Sequence, residues 1–303
     1  MIQIIGTIFV AALGLAFGSF LNVCLSRWPA EESIVQPRSH CRQCSHILSW
    51  WENLPLLSWL VLRGRCRECC AWIGWRYPLV ELTVAVLWVV AAWRFLSVVT
   101  DPDLVAIDLF GHFNLYNELL AVIGKLIFYW LLVALAVLDA ENFWLPNWIT
   151  LPGVAVGFVL GVCHNVITSR STDGPIASWR WVLASSAIGL VIGILIAAGI
   201  ILLIRWIYWL IRHEEGMGLG DAKLMALLAA WLGLEGALLA FGIGVTLGAG
   251  TALVLLVLPK LQREAGGWAL QKLPLGTFLC IGGVVSSLWG QRIIAAYLHW
   301  AGF

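Results

Sequence analysis

A chain of 303 residues that is 61% hydrophobic and only 12% charged, with mean hydropathy +0.91, is far too apolar for a soluble domain and reads as a polytopic membrane protein. Its net charge of +1 is uninformative as a total, because basic residues cluster in particular loops. No nucleic-acid partner is expected. The opening Met1-Ile2-Gln3-Ile4-Ile5 lacks the positive segment of a signal peptide, so the apolar run to about Cys24 reads as a retained span, about 7–25. Gly14, Gly18 and Ser19 within it allow close helix contact.

From 26 to 76 the sequence turns polar, with arginines (Arg27, Arg38, Arg42, Arg63, Arg65, Arg67, Arg76) outnumbering glutamates, which places this loop in the cytoplasm by the positive-inside rule. Inside it stand Cys41-Arg42-Gln43-Cys44 and Cys66-Arg67-Glu68-Cys69, separated by 21 residues (45–65). Each Cys-x-x-Cys knuckle presents two thiolates to one metal, so Cys41, Cys44, Cys66 and Cys69 are expected to hold a structural tetrahedral Zn²⁺. A pair of disulfides would not suit a reducing compartment. So small a loop has little core, and zinc would supply much of its folding energy. Cys70 is left over, with His40 and His46 as further candidates. Trp50, Trp51, Trp59, Trp72 and Trp75 suggest an interfacial belt against membrane lipids.

A second span, about 77–95, carries Glu81 near its cytoplasmic end, where a salt bridge to a loop arginine is expected. The acidic loop 101–118 reads as periplasmic. A third span, about 119–138, ends at Asp139-Ala140-Glu141 and stops at Leu145-Pro146-Asn147. A fourth (about 148–167) and a long fifth (about 181–210) lead to Gly216-Met217-Gly218-Leu219-Gly220-Asp221-Ala222-Lys223-Leu224, a glycine-rich break between apolar runs. Here Asp221 suits a helix N-cap, and Lys223 suits snorkelling. A short partial span (about 222–232) turning at 233–236, a seventh (about 237–258), a basic loop at 260–272 and an eighth (about 275–298) complete the chain. No internal repeat is visible.

Two spans separate Asp139 from Asp221, so both carboxylates occupy the same membrane face whichever way the chain is threaded. They can therefore meet. Two adjacent carboxylates cannot both ionise cheaply, and sharing one proton suits them to aspartic-protease chemistry, with Glu141 a competitor for the first position. No Gly-x-Ser-x-Gly elbow, His-Glu-x-x-His or phosphate-binding Gly-Lys-Ser/Thr loop is present. The remaining rivals are a transporter relaying protons or cations through the two Asp, and a scaffold whose ribbon docks partners.

At these residues the chain resembles the type IV prepilin peptidases, bacterial members of the GxGD aspartic protease group. Gly18-Ser19-Phe20-Leu21-Asn22-Val23, Pro37-Arg38-Ser39, Asn53-Leu54-Pro55, Arg63-Gly64-Arg65-Cys66, Arg76-Tyr77-Pro78 and Glu81 are similar to the family's amino-terminal region. Asp139 with Leu145-Pro146-Asn147, and Gly218-Leu219-Gly220-Asp221-Ala222-Lys223-Leu224, are similar to its two catalytic motifs, and Lys272-Leu273-Pro274-Leu275-Gly276 to the motif before its last span. The resemblance implies an all-α membrane protein of about eight spans with a cytoplasmic zinc-ribbon-like insertion after the first. It also implies residues 1–98 as a methyltransferase part containing the 26–76 zinc loop, and 119–303 as a six-span peptidase part. Asp139 and Asp221 would cut the basic cytosolic leader from prepilins or pseudopilins, and S-adenosylmethionine would methylate the new amino terminus. A peptidase without methyltransferase activity is the nearest alternative. The expected location is the bacterial inner membrane, with ribbon and active site at the cytoplasmic side.

Overall fold

The computed structural model describes residues 2–99, 115–172, 179–214, 218–257 and 273–302. Most of the acidic 101–118 loop, Gly216 and Met217 of the glycine motif, and the basic loop 260–272 lie outside the described residues. The chain divides into two compact units, Met1–Ala134 and Leu135–Phe303.

The first unit is built on α1 (Ile2–Arg27) and α3 (Arg76–Val99), with the cysteine loop between them. They pack closely because Gly14 and Gly18, one helical turn apart, present no side chain. A Cβ built at either glycine would lie 2.6 Å from the Cα of Ala85 or Glu81. Those obstacles are backbone and cannot swing aside. Gly18→Val is therefore expected to force α1 off α3 and cost on the order of 1–3 kcal/mol, read as a lower unfolding temperature in detergent; unchanged unfolding would refute the contact. The first part of α4 (Leu115–Asn142) joins this unit through indole hydrogen bonds: Trp88 Nε1 donates to the Leu126 carbonyl at 3.0 Å and Trp130 Nε1 to the Phe17 carbonyl at 3.2 Å.

Within the loop, a short helix α2 (Leu57–Val61) and two 3₁₀ turns replace extended strands, leaving isolated bridges at His40–Ile47 and Arg65–Trp72. Trp59, Trp72 and Trp75 pack on one another with centroids 4.5–5.9 Å apart, and Trp72 and Trp75 remain largely exposed. Gly64 sits beneath them at φ +68°, and a Cβ there would meet the rings of Trp72 and Trp59 at 2.8–2.9 Å.

The second unit centres on α7 (Leu219–Val257), which packs against α5 (Asn147–Thr172), α6 (Trp179–Arg212) and α8 (Leu275–Ala301). Trp231 of α7 donates from Nε1 to the Gly153 carbonyl at 2.9 Å, its ring filling the space a side chain at Gly157 would take. Gly282 of α8 meets α7 so tightly that an added Cβ would lie 2.2 Å from the Ala240 carbonyl oxygen. Seven helices among the described residues are long and apolar enough to cross a membrane. Eight spans were expected. The difference lies in α7, where the partial sixth span and the seventh run on as one element broken at Gly233 (φ 72°, ψ 175°), a conformation that favours glycine.

Candidate active site and metal centre

Asp139 stands in the last turn of α4. Phe143 closes that helix, donating its N–H to the Asp139 carbonyl at 2.9 Å from a left-handed φ of 50°. The chain then re-enters helix at Asn147, with the Pro146 carbonyl accepting the N–H groups of Ile149 and Thr150. This tight passage brings Leu145 into contact range of two other segments. The atoms of Leu145 lie 3.1 Å from where a Cβ of Gly220 would be, and 3.2 Å from that of Gly276. Leu145 thus forms a common wall between the start of α7 and the start of α8.

The Asp139 side chain is buried, 6% exposed, and points into the amino-terminal turn of α8. Thr277 N–H donates to its Oδ2 at 2.7 Å, and the Thr277 hydroxyl, which donates to the Ala136 carbonyl at 2.9 Å, lies 3.3 Å from the same oxygen. Free amides and the positive helix end favour a carboxylate at this position. Glu141, the competitor from sequence, is exposed. Asp221 is partly buried in the first turn of α7, directly after Gly220, which shares the Leu145 wall with the Gly276 that abuts the Asp139 carboxylate. The helix begins at Leu219 rather than after Asp221, which corrects the N-cap reading: Asp221 is a first-turn residue whose N–H donates to the Gly218 carbonyl at 3.3 Å. Lys223 Nζ donates to Asn147 Oδ1, tying α7 to α5.

The four knuckle sulfurs gather within 4.8 Å of one another. Cys41 and Cys69 sulfurs are 3.8 Å apart, and those of Cys44 and Cys66 are 3.9 Å apart. A tetrahedron with zinc–sulfur bonds of about 2.3 Å has edges of about 3.8 Å, so the donor set fits Zn²⁺. The two knuckles are folded alike. Cys41 N–H donates to the His46 carbonyl and Cys66 N–H to the Ala71 carbonyl, while Ser45 and Cys70 each donate back to the leading cysteine carbonyl. Ser45 and Cys70 share a left-handed φ, 58° and 55°. Cys70 is therefore the counterpart of Ser45 in the turn and stands outside the sulfur tetrad. The Cys44 amide, then the Gln43 amide and neighbouring thiols, draw the Cys41 thiol down to about 6. At Cys69 the Ala71 amide pulls down, but burial and the other three sulfurs outweigh it and push the thiol up to about 12. A bound dication relieves this crowding of charge.

His46 is not among the sulfur ligands; it contacts Glu52 at 3.3 Å, and Glu52 also accepts the Ser49 N–H at 2.7 Å, interactions that hold its carboxyl below the usual range. Glu81 corrects another expectation. It is buried, takes the Leu56 N–H at 2.7 Å, and forms no ion pair with an arginine among the described residues.

Two family models match. Residues 12–95 match the bacterial peptidase A24 amino-terminal domain, and residues 126–253 the type IV leader peptidase family. A prepilin leader peptidase/N-methyltransferase of Pseudomonas putida is 33% identical, covering 96% of this chain and 93% of that protein. The proteins of the same name from Pseudomonas aeruginosa (32% identical; 96% and 93% covered) and Aeromonas hydrophila (31%; 95% and 92%) are also similar. The chain belongs to the type IV leader peptidase family. No solved structure matches it.

In this leader peptidase family member, sequence reasoning missed Thr277 as the partner of Asp139. The only signal was the Pro274-Leu275-Gly276 stretch just before Thr277, which itself sits 138 residues from Asp139 along the chain. Gly276 is there for close approach: a Cβ would lie 2.9 Å from both Cγ and Oδ2 of Asp139. Gly276→Val is expected to displace that carboxylate and lower peptide cleavage about a hundredfold while secondary structure by circular dichroism stays intact; undiminished cleavage would show that the packing does not matter.

Proposed function

We propose that this chain is an aspartic endopeptidase of the bacterial inner membrane that removes the basic cytosolic leader from type IV prepilins or pseudopilins and methylates the exposed amino terminus. The observation that supports the reading is the convergence of the Asp139 carboxylate and the Gly220–Asp221 turn on Leu145 and Gly276 in a family member. One carboxylate, ionised, takes a proton from water as it attacks the scissile carbonyl; the other, protonated, donates to the carbonyl oxygen. The roles reverse as the tetrahedral intermediate collapses. Thr277 holds Asp139 in orientation for this exchange.

The peptidase part is assigned to 119–303, and the methyltransferase part to 1–98, whose 26–76 loop holds structural zinc on Cys41, Cys44, Cys66 and Cys69. Ribbon and active site face the cytoplasm, where the leader lies while the helix of the substrate remains among membrane lipids. S-adenosylmethionine, when bound, supplies an electrophilic methyl group to the new terminal amine. The test is incubation of purified protein with a prepilin in detergent, followed by mass measurement of the mature amino terminus. Cleavage before the hydrophobic helix with one added methyl group is expected. Uncut prepilin overturns the peptidase reading in favour of a relay, and a cut but unmethylated product leaves a peptidase alone.

A further inference from the structure

The short helix α2 (Leu57–Val61) hangs from α3 by a buried carboxylate: the Leu56 N–H donates to Glu81 Oε2 at 2.7 Å. Leu56 is the centre of a tight turn in which the Leu57 N–H donates to the Pro55 carbonyl at 2.6 Å. Its φ of 60° and ψ of −45° are unfavourable for a residue with a side chain and persist only where neighbours hold them. The clamped turn therefore fixes where α2 sits. Glu81 lies five residues beyond Arg76, the start of α3, which is about 7.5 Å along the axis at 1.5 Å per residue. So α2 begins beside the first turns of a helix long and apolar enough to cross a membrane, and not above its end.

The two faces of α2 differ. Trp59 points inward, its Nε1 donating to the Ile73 carbonyl at 3.0 Å and its ring centroid 4.5 Å from that of Trp75. Leu57, Leu60 and Val61, spaced i, i+3, i+4, share the opposite face and are 58%, 55% and 74% exposed. Trp75 in turn heads a stripe on α3, where Leu79, Leu82 and Val86 follow at steps of three and four residues and are likewise exposed. Through the Trp59–Trp75 contact, the apolar face of α2 continues the side of α3 that meets lipid. Arg63 and Arg65 come directly after α2, exposed and without an ion pair among the described residues. We infer that α2 is an interfacial anchor. Its apolar face lies among the upper acyl chains, Arg63 and Arg65 reach lipid phosphates, and the zinc ribbon is held down against the ends of α1 and α3. The partner is an anionic lipid surface. The depth agrees, since helices of this kind bury their apolar side about 5–10 Å into the headgroup and acyl boundary, and the charge agrees, since anionic leaflets attract basic segments beside a span. The inference rests on the reading of α1 and α3 as membrane spans.

The test uses full-length, zinc-loaded protein in vesicles of phosphatidylethanolamine and phosphatidylglycerol that include a phospholipid with a diazirine near the carbonyl end of one acyl chain. After photolysis, peptide mass spectrometry is expected to find adducts on Leu57, Leu60 and Val61 as well as on Leu79 and Leu82 of α3. Leu60→Glu, at an exposed position, is expected to lower labelling of 54–62 about tenfold, with zinc content and α3 labelling unchanged as the folding controls. Arg63→Gln combined with Arg65→Gln, and replacement of phosphatidylglycerol by phosphatidylcholine, are each expected to lower it about fivefold or more. Adducts on α3 with none on 54–62 overturn the anchor, as does labelling indifferent to Leu60→Glu or a cross-link through α2 between two copies of the chain. Labelling indifferent to lipid charge overturns the anionic partner, and an α3 without adducts overturns the span reading beneath it. The labelling needs no turnover, so failure of the anchor and failure of prepilin cleavage are read separately.

Discussion

Asp139→Asn and Asp221→Asn are each expected to reduce prepilin cleavage on the order of ten-thousandfold, with helix content, unfolding temperature and metal content as in the wild type. The magnitude follows from the division of labour. An amide cannot accept the proton of water, and it cannot pass a proton to the scissile carbonyl oxygen as an acid does, so losing either carboxylate removes a step that the other cannot complete alone. Steric change is small at both sites, because Asn is close to isosteric with Asp. Asp139→Asn keeps a side-chain oxygen for the Thr277 N–H. Combining the two substitutions is expected to cost little more than either one, as for residues acting as a unit. Substantial cleavage by either single variant would dismiss the pair, while full cleavage by Glu141→Gln is the matching expectation for an acid that lies outside the site.

How this pair could be read from sequence is instructive. Counting spans requires no geometry: two crossings return the chain to the same face, so Asp139 and Asp221 were bound to share a level. What parity cannot supply is the partner of each carboxylate. Thr277 reaches Asp139 because α8 packs on α7 through Gly282 and Gly244, a long-range fit without a local pattern. The start of α7 was misplaced for a different reason. Glycines are poor helix formers, so Leu219 and Gly220 look like loop until tertiary contact with Leu145 holds them in the first turn. Glu81 was expected beside an arginine because charges usually find countercharges, yet the loop folds to offer the Leu56 backbone amide instead.

Removal of metal is the second large effect. Chelation of the wild type is expected to unfold the 26–76 loop, seen as a change in tryptophan fluorescence from the Trp59–Trp72–Trp75 stack and as new protease cuts between the knuckles. Structural zinc supplies about 10–16 kcal/mol in small domains of this kind, more than a loop with one aromatic cluster can replace. Cys41→Ser combined with Cys69→Ser is expected to abolish bound zinc, whereas Cys70→Ser retains it, because Cys70 stands where the first knuckle has Ser45. Acidification is expected to release the metal as protons compete for the four thiolates. Zinc-to-protein ratios measured on the three proteins decide the matter; equal ratios in all of them would exclude the tetrad.

The break at Gly233 divides α7 into two unequal arms. Residues 219–232 rise only about 20 Å at 1.5 Å per residue, short of the roughly 30 Å hydrocarbon layer, whereas an unbroken α7 would extend almost 60 Å and overshoot it. Ending the first arm there leaves it too short to cross by itself, while the second arm, 234–257, is long enough to do so. A single backbone torsion thus divides α7 into one arm too short to cross the layer and one long enough to cross it.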